Sequence, residues 1–101
     1  MTVLPPSDRA PDQPRGGTSA TVSVRYFAGA QAAAGVPAEK VTLAAPATVG
    51  RLVDELVHRH GDGLARVLAA STYIVDEVVA TVDRELADGA VVDVLPPFAG
   101  G

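Results

Sequence analysis

The residues with the clearest chemical potential form the C-terminal end, which reads Pro96, Pro97, Phe98, Ala99, Gly100 and Gly101. Proline has no amide donor and holds an extended backbone, so the first two residues stiffen this tail. The two glycines have no side chains, so the terminal carboxylate can enter a narrow channel without a Cβ clash. Another protein can capture such a carboxylate with backbone amides and activate it with ATP for conversion to a thioester or a thiocarboxylate. The pattern therefore predicts a chain whose terminal carboxylate reacts in a partner's active site.

The remaining polar residues do not suggest a self-sufficient catalyst. His58 and His60 lie two positions apart without a matching set of ligands, which favours a solvated helix end over a metal site. Asp76 and Glu77 are interpreted as a turn, since no pocket is implied around them. No phosphate-binding loop of the form G-x-x-x-x-G-K-[ST] occurs. We therefore expect no metal and no bound cofactor.

Composition narrows the partners. The formal net charge is −4, so the chain would repel phosphate backbones, which disfavours nucleic acid and suits a partner with a basic groove. Cysteine is absent, which rules out disulfides and thiolate sites and is typical of cytoplasmic proteins. No apolar run reaches the ~18 residues of a membrane span, and no signal-peptide pattern begins the chain. A cytoplasmic protein without membrane contact is expected.

The chain divides into three parts. Residues 1–19 are rich in proline and glycine and are predicted to be a disordered leader, with Gly16 and Gly17 as a flexible spacer. Residues 20–95 carry the periodic apolar pattern of a single folded domain. Residues 96–101 form the extended tail.

Apolar periodicity predicts the elements of that domain. A helix is expected to begin after Thr48 and to end at Gly61, with a short second helical piece following it. Five strands are predicted over residues 21–27, 39–43, 72–75, 78–82 and 91–95. One main helix covering one face of a mixed five-stranded sheet gives an α+β fold of the ubiquitin-like, β-grasp kind. The first and last strands would then lie side by side at the centre of the sheet.

The sheet face away from the helix is the second candidate site. Strand alternation places Val92 and Val94 inward and Leu95 outward, and the same reasoning places Phe27 and Val79 outward. Scattered surface hydrophobes are normal, and that interpretation remains open. An aromatic member and the nearness of the tail favour a partner interface formed by Phe27, Val79 and Leu95.

Three segments together resemble a known family. They are Val-Arg-Tyr-Phe-Ala at residues 24–28, Leu-Ala-Asp-Gly at residues 86–89 and the ending Leu-Pro-Pro-Phe-Ala-Gly-Gly at residues 95–101. With the β-grasp pattern they resemble the MoaD/ThiS family of ubiquitin-like sulfur carriers, and the tail fits the branch formed by the small subunit of molybdopterin synthase. The resemblance covers about residues 20–101, and the tail is its most specific part.

The resemblance implies a mechanism. An E1-like adenylyltransferase/sulfurtransferase would use ATP to adenylate Gly101 and convert it to a thiocarboxylate. The tail from Pro96 to Gly101 would then enter a pocket of the large synthase subunit, in a two-plus-two assembly, and give its sulfur to cyclic pyranopterin monophosphate. The acid/base groups would belong to the large subunit, and Phe27, Val79 and Leu95 match the family's subunit contact. Gln31 stands where the family often has Arg, which puts an ionic contact there in doubt.

Other functions need the same tail and stay open. A β-grasp carrier could supply sulfur for cysteine, thiamin or tRNA thiolation. A ubiquitin-like modifier would join Gly101 to lysine side chains. A plain interaction domain would leave the two glycines without a role.

Overall fold

The computed structural model describes residues 19–97. The predicted leader up to residue 18, including Gly16 and Gly17, lies outside the described residues, and so do Phe98, Ala99, Gly100 and Gly101. The strands are β1 (Ser19–Tyr26), β2 (Ala38–Ala44), β3 (Ala47–Thr48), β4 (Thr72–Val75), β5 (Val78–Ala80), β6 (Glu85–Leu86) and β7 (Val91–Leu95). The helices are α1 (Gly29–Ala34), α2 (Val49–His60) and α3 (Asp62–Ala70).

Five of these strands form one mixed sheet in the order β2-β1-β7-β4-β5. The first and last strands, β1 and β7, are parallel neighbours at its centre, with Val24 opposite Val92 and Tyr26 opposite Val94. The other neighbouring pairs are antiparallel. The predicted ubiquitin-like β-grasp fold, with a mixed five-stranded sheet and a main helix, is confirmed.

The core lies between the sheet and the helices. The inward valines of β1 and β7 are completely buried, and so are the α2 residues one turn apart, Leu52 and Leu56. Strand alternation and the helical stripe therefore meet, as the apolar periodicity of the sequence predicts.

Both ends of α2 have a local cause. The Thr48 hydroxyl accepts a hydrogen bond from the Arg51 amide at 3.2 Å, which satisfies one of the free donors of the first turn. Gly61 ends the helix with a φ of 87°, a left-handed value that glycine adopts without strain. Both boundaries agree with the sequence analysis.

Two strands were missed by the sequence analysis. Strands β3 and β6 form a separate two-stranded ladder, and segments of two residues are too short to show a periodic pattern. Strand β5 also ends at Ala80, two residues before its predicted end. The reason is local, because the Val82 carbonyl accepts a hydrogen bond from the Gly50 amide at 2.8 Å and thus serves the start of α2.

The predicted turn at Asp76 and Glu77 is a two-residue hairpin between β4 and β5. Both residues have positive φ, 48° and 73°, as in a type I′ turn. The Asp76 carboxylate accepts a hydrogen bond from the Val91 amide at 2.9 Å, which ties the turn to the start of β7. Glu77 occupies a left-handed position at which glycine would be less strained.

Candidate docking and transfer site

The tail leaves from the central strand of the sheet. Strand β7 ends at Leu95 and continues directly into Pro96 and Pro97. The Phe27 amide donates a hydrogen bond to the Val94 carbonyl at 3.2 Å, so β1 and β7 stay paired up to the base of the tail. The tail therefore starts from a fixed point, and its first two residues hold it extended.

The face of the sheet that is not covered by helices carries the predicted interface residues. Phe27 is 38% exposed, Val79 is 69% exposed, and Leu95 is half-buried. Leu95 of β7 pairs with Thr72 of the neighbouring strand β4. Phe27 follows the β1 residue that pairs with Val94, so it lies beside Leu95. The structure thus brings Phe27 and Leu95 together.

Val79 lies farther from these two residues. It belongs to the edge strand β5, and with strands ~4.8 Å apart it is roughly 10 Å across the sheet from β7. Ile74 fills the gap, because it pairs with Val79 on one side and with Asp93 on the other, on the same face as Leu95. We define the open-face patch as Phe27, Ile74, Val79 and Leu95.

The sequence analysis missed Ile74, although its signal was available. Its neighbours in β4, Tyr73 and Val75, are buried under the helices, and alternation then directs Ile74 to the open face. The apolar pattern predicts the strand but does not by itself say which of its residues face the helices.

An apolar groove lies at the base of the tail. It has a volume of about 630 Å³, and its lining comes from the β1–α1 junction, the end of α3, the start of β4 and the start of the tail. The lining residues are Phe27, Ala28, Ala70, Thr72, Leu95, Pro96 and Pro97. We call this the tail groove. Two members of the open-face patch, Phe27 and Leu95, form part of its wall, so the patch and the groove are one continuous surface.

The open face also carries an ion pair, which lies level with Ile74 and Val79 across the strands. Arg25 and Asp93 form a two-point ion pair, with Nε–Oδ1 at 2.6 Å and Nη2–Oδ2 at 2.9 Å. The hydrogen bond and charge of Asp93 raise the pKa of Arg25. A small cavity of about 280 Å³ lies here, lined also by Asp76, Glu77 and Val91. The cavity is lined by three carboxylates, of Asp76, Glu77 and Asp93, and by one guanidinium, of Arg25. This part of the open face therefore has the acidic character expected to suit a basic partner surface.

The interpretation of His60 as part of a solvated helix end is wrong. Its Nε2 lies 2.6 Å from Oε2 of Glu39, and an ionised carboxylate only accepts, so His60 is the donor. The Tyr26 hydroxyl donates to the same oxygen at 2.5 Å, and Arg59 Nη1 donates to Oε1 at 3.2 Å. His58, in contrast, is exposed. The fold recruits His60 because the last turn of α2 packs over β1 and β2, a contact that sequence spacing does not show.

The Glu39 cluster, consisting of Tyr26, Glu39, Arg59 and His60, is a structural polar group on the covered face. Burial alone would raise the pKa of Glu39, but the hydrogen bonds from Tyr26, His60 and Arg59 together lower it. Burial, followed by the bond to Glu39, raises the pKa of Tyr26 far above its ordinary value. The charged carboxylate therefore stabilises the joint between α2 and the sheet.

Two further findings concern the part of the chain that the structure describes. Within residues 19–97, no cluster of three or more His, Cys, Asp or Glu side chains is arranged to hold a metal ion. Over the same residues, no helix has the length and apolarity needed to cross a bilayer. Gln31, the departure from the family pattern, is exposed on α1. Its backbone amide donates a hydrogen bond to the Ala28 carbonyl at 3.1 Å.

Comparison with known structures gives relatives of the same size. A putative molybdopterin converting factor subunit 1 from Pyrococcus furiosus is 32% identical, with 78% of this chain and 99% of that chain covered and a TM-score of 0.71. SAMP1 from Haloferax volcanii is 26% identical, with coverages of 80% and 99% and a TM-score of 0.72. A complex of subunits 1 and 2 of the molybdopterin-converting factor from Helicobacter pylori matches at 23% identity, 80% and 99% coverage and a TM-score of 0.53, which supports the fold.

Sequence comparison agrees with these structural matches. No curated protein sequence matched the chain. The model of the ThiS family matches residues 24–101, which include the end of β1, all of β7, the tail-groove residues and the terminal glycines. The chain therefore belongs to the ThiS family of ubiquitin-like sulfur carriers and modifiers.

Proposed function

We propose that this protein is the sulfur-carrying small subunit of a molybdopterin synthase. The observation that carries the proposal is the 32% identity to a putative molybdopterin converting factor subunit 1 across 99% of that protein's length. The ending Pro-Pro-Phe-Ala-Gly-Gly and the apolar surface at its base support the same function. Gly101 is the reacting residue, and residues 96–100 deliver it.

The proposed chemistry begins with activation of the terminal carboxylate. An oxygen of Gly101 attacks the α-phosphorus of ATP, pyrophosphate leaves, and an acyl adenylate forms. A sulfur nucleophile at the oxidation level of sulfide then attacks the carbonyl carbon, and AMP departs with the shared oxygen. The product is a C-terminal thiocarboxylate. We assign this step to an E1-like adenylyltransferase/sulfurtransferase.

Sulfur transfer follows in the large subunit. The thiocarboxylate sulfur attacks an electrophilic carbon of cyclic pyranopterin monophosphate, a C–O bond at that carbon breaks, and the departing oxygen leaves as a phosphate oxygen or, after protonation, as water. The product is a thioester between the pterin sulfur and Gly101. Water then hydrolyses the thioester, which leaves the sulfur on the pterin and restores the carboxylate. A dithiolene contains two sulfurs, so each product molecule requires two small subunits that carry a thiocarboxylate. The large subunit contributes the acid/base groups, in a two-plus-two assembly.

The geometry of the tail constrains that partner. Four residues follow Pro97, and an extended chain advances at most ~3.3–3.6 Å per residue, so the carboxylate reaches about 13–14 Å beyond Pro97. A partner seated on the open-face patch must therefore hold its reactive centre within that distance. Phe27 and Leu95 lie at the base of the tail and are suited to be the centre of the contact.

A protein modifier is the second candidate. SAMP1 is similar over 99% of its own length, although at the lower identity of 26%. In that role, the Gly101 adenylate would acylate a lysine amine, AMP would leave, and no sulfur would remain on the chain. A carrier for another thiolation pathway shares the first half of the sulfur mechanism and differs only in the acceptor.

Intact-mass analysis of the protein from its native cells tests the proposal. We expect a population that is heavier by the exchange of one oxygen for one sulfur, mapped to Gly101. Such chains should then convert cyclic pyranopterin monophosphate when the large subunit is added. A free carboxylate throughout, even with activating enzyme, ATP and a sulfide donor, would overturn the carrier function. Covalent adducts on lysines would support the modifier instead.

A variant with one residue added after Gly101 is the matched control. The reacting atom would then sit beyond the partner's reactive centre, so transfer should be lost while the unfolding temperature stays unchanged. Retained transfer, with removal of the added residue excluded by mass, would contradict the assigned role of Gly101.

A further inference from the structure

The sequence places an apolar aromatic residue, Phe98, directly after the residues that line the tail groove. It is the next residue after Pro97, which itself lines the groove, and consecutive Cα atoms are about 3.8 Å apart. The lining is mainly aliphatic and aromatic, with Phe27, Ala70 and Leu95 among its residues. An apolar ring that begins one residue away from an apolar groove gains by leaving water.

We propose that in the free protein the Phe98 ring occupies the tail groove, and that a docking partner displaces it. Of the six residues after β7, Phe98 has the only large side chain. The two prolines before it restrict the directions the backbone can take, so its approach to the groove costs little conformational entropy. The occupant is thus a segment of the same chain.

Seating Phe98 changes the reach of the terminal carboxylate. A straight tail would carry the carboxylate about 13–14 Å beyond Pro97, whereas a seated ring turns the chain toward the groove at Phe98 and leaves three residues, roughly 10 Å, beyond that turn. Because the chain then no longer runs straight on from Pro97, the carboxylate of the free protein lies nearer the sheet. A reactive centre that requires the full length is reached only after the ring has left the groove.

Docking and release of the tail are linked because they use the same side chains. Phe27 and Leu95 belong both to the open-face patch and to the groove wall. A partner that covers them competes with the Phe98 ring for the same apolar surface, so its binding shifts the tail toward the extended state. This link rests on the proposed function, whereas seating of the ring in the free protein does not.

The test is nuclear magnetic resonance of the free full-length protein, with labelled phenylalanine rings and methyl groups. We expect nuclear Overhauser contacts from the Phe98 ring to the methyl groups of Ala70, Thr72 and Leu95, and loss of the corresponding ring-current shifts in Phe98→Ala. Phe27 is the only other phenylalanine, so Phe98→Leu assigns the two rings. Random-coil shifts for Phe98 without these contacts would overturn the proposal.

Two neighbouring alanines on α3 provide a matched pair of variants. Ala69 and Ala70 are both exposed, but only Ala70 lines the groove. Ala70→Gln should fill the groove and remove the Phe98 contacts, whereas Ala69→Gln should keep them. Equal behaviour of the two variants would contradict seating of the ring in this groove.

A dilution series distinguishes a Phe98 ring seated in the groove of its own chain from one seated in the groove of a second copy. Contacts that persist unchanged over a wide dilution series support seating within one chain. Contacts that fade on dilution would place the ring of a second copy in the groove and overturn the proposal. None of these measurements requires sulfur transfer, so their failure is distinguishable from failure of the proposed function, which intact mass tests separately.

Discussion

The two faces of the five-stranded sheet differ in the side chains they present and in the interactions those side chains make. The covered face presents completely buried valines, and its polar side chains are hydrogen-bonded, as in the Glu39 cluster. The open face presents the four-residue apolar patch, the Arg25–Asp93 ion pair and the strained hairpin at Asp76 and Glu77. Core packing therefore explains the residues of the covered face. The exposed apolar side chains and the strained backbone of the open face, in contrast, do not contribute to core packing. Such features are typical of surfaces that serve a partner.

The largest stability effect should come from the covered face. Leu56→Ala removes a completely buried side chain and leaves a cavity, so the free energy of unfolding should fall by about 2–5 kcal/mol. Urea unfolding measures it. Val79→Ala, on the open face, should change the same quantity by no more than about 0.5 kcal/mol. Similar losses in both variants would contradict the division between the faces.

The largest effect on binding should come from the open face. Phe27→Asp would bury an unpaired charge beneath the partner, so the Kd for the large subunit should rise by roughly 30-fold, equivalent to about 2 kcal/mol. Isothermal titration calorimetry measures it. Val82→Asp introduces the same charge on an exposed valine outside the patch and is the matched control. An unchanged Kd for Phe27→Asp would refute the patch as the interface.

Removing a polar group from the covered face should cost more unfolding free energy than removing one from the open face. Glu39 is enclosed by three partners, so Glu39→Gln should cost about 1–3 kcal/mol of unfolding free energy. The Arg25 side chain is 53% exposed, so Arg25→Gln should cost less than about 1 kcal/mol. A larger loss for Arg25→Gln would reverse this comparison.

The pH dependence sharpens the assignment to Glu39. Its pKa is lowered in the folded state, so its charge stabilises the fold above its ordinary value of 4.5, and this contribution is lost as pH falls through the folded pKa. The difference in unfolding free energy between the natural chain and Glu39→Gln should therefore shrink on acidification. A difference that stays constant from pH 7 to about pH 3 would exclude a charge effect.

The smallest effect should be a gain in stability. Glu77 has a φ of 73°, a left-handed value that costs a residue with a Cβ about 1–2 kcal/mol, of which glycine's extra unfolded-state entropy cancels about 0.4–1 kcal/mol. Glu77→Gly should therefore raise the unfolding free energy by up to about 1 kcal/mol. Glu77→Ala removes the same carboxylate without relieving the backbone and should show no gain. A loss of stability in Glu77→Gly would contradict strain at this turn.

The sequence by itself determined the fold and indicated the C-terminal tail as the candidate reacting end. Period-two alternation in β1 and β7 and the helical stripe of α2 identify buried side chains directly, because strands and helices repeat at fixed intervals. Thr48 and Gly61 mark the helix ends for an equally local reason, the capping of free backbone groups. The two prolines and the terminal glycines likewise express their role through backbone chemistry alone.

The tertiary structure alone decided which distant residues meet. Ile74 lies between Val79 and strand β7 only because β4 pairs with both β5 and β7. Ala70 and Phe27 line the same groove only because α3 ends beside the base of the tail. His60 became a partner of Glu39 through the packing of α2 on the sheet. Contacts between segments far apart in the chain depend on register and packing angle, and neither is encoded in the spacing of a single segment.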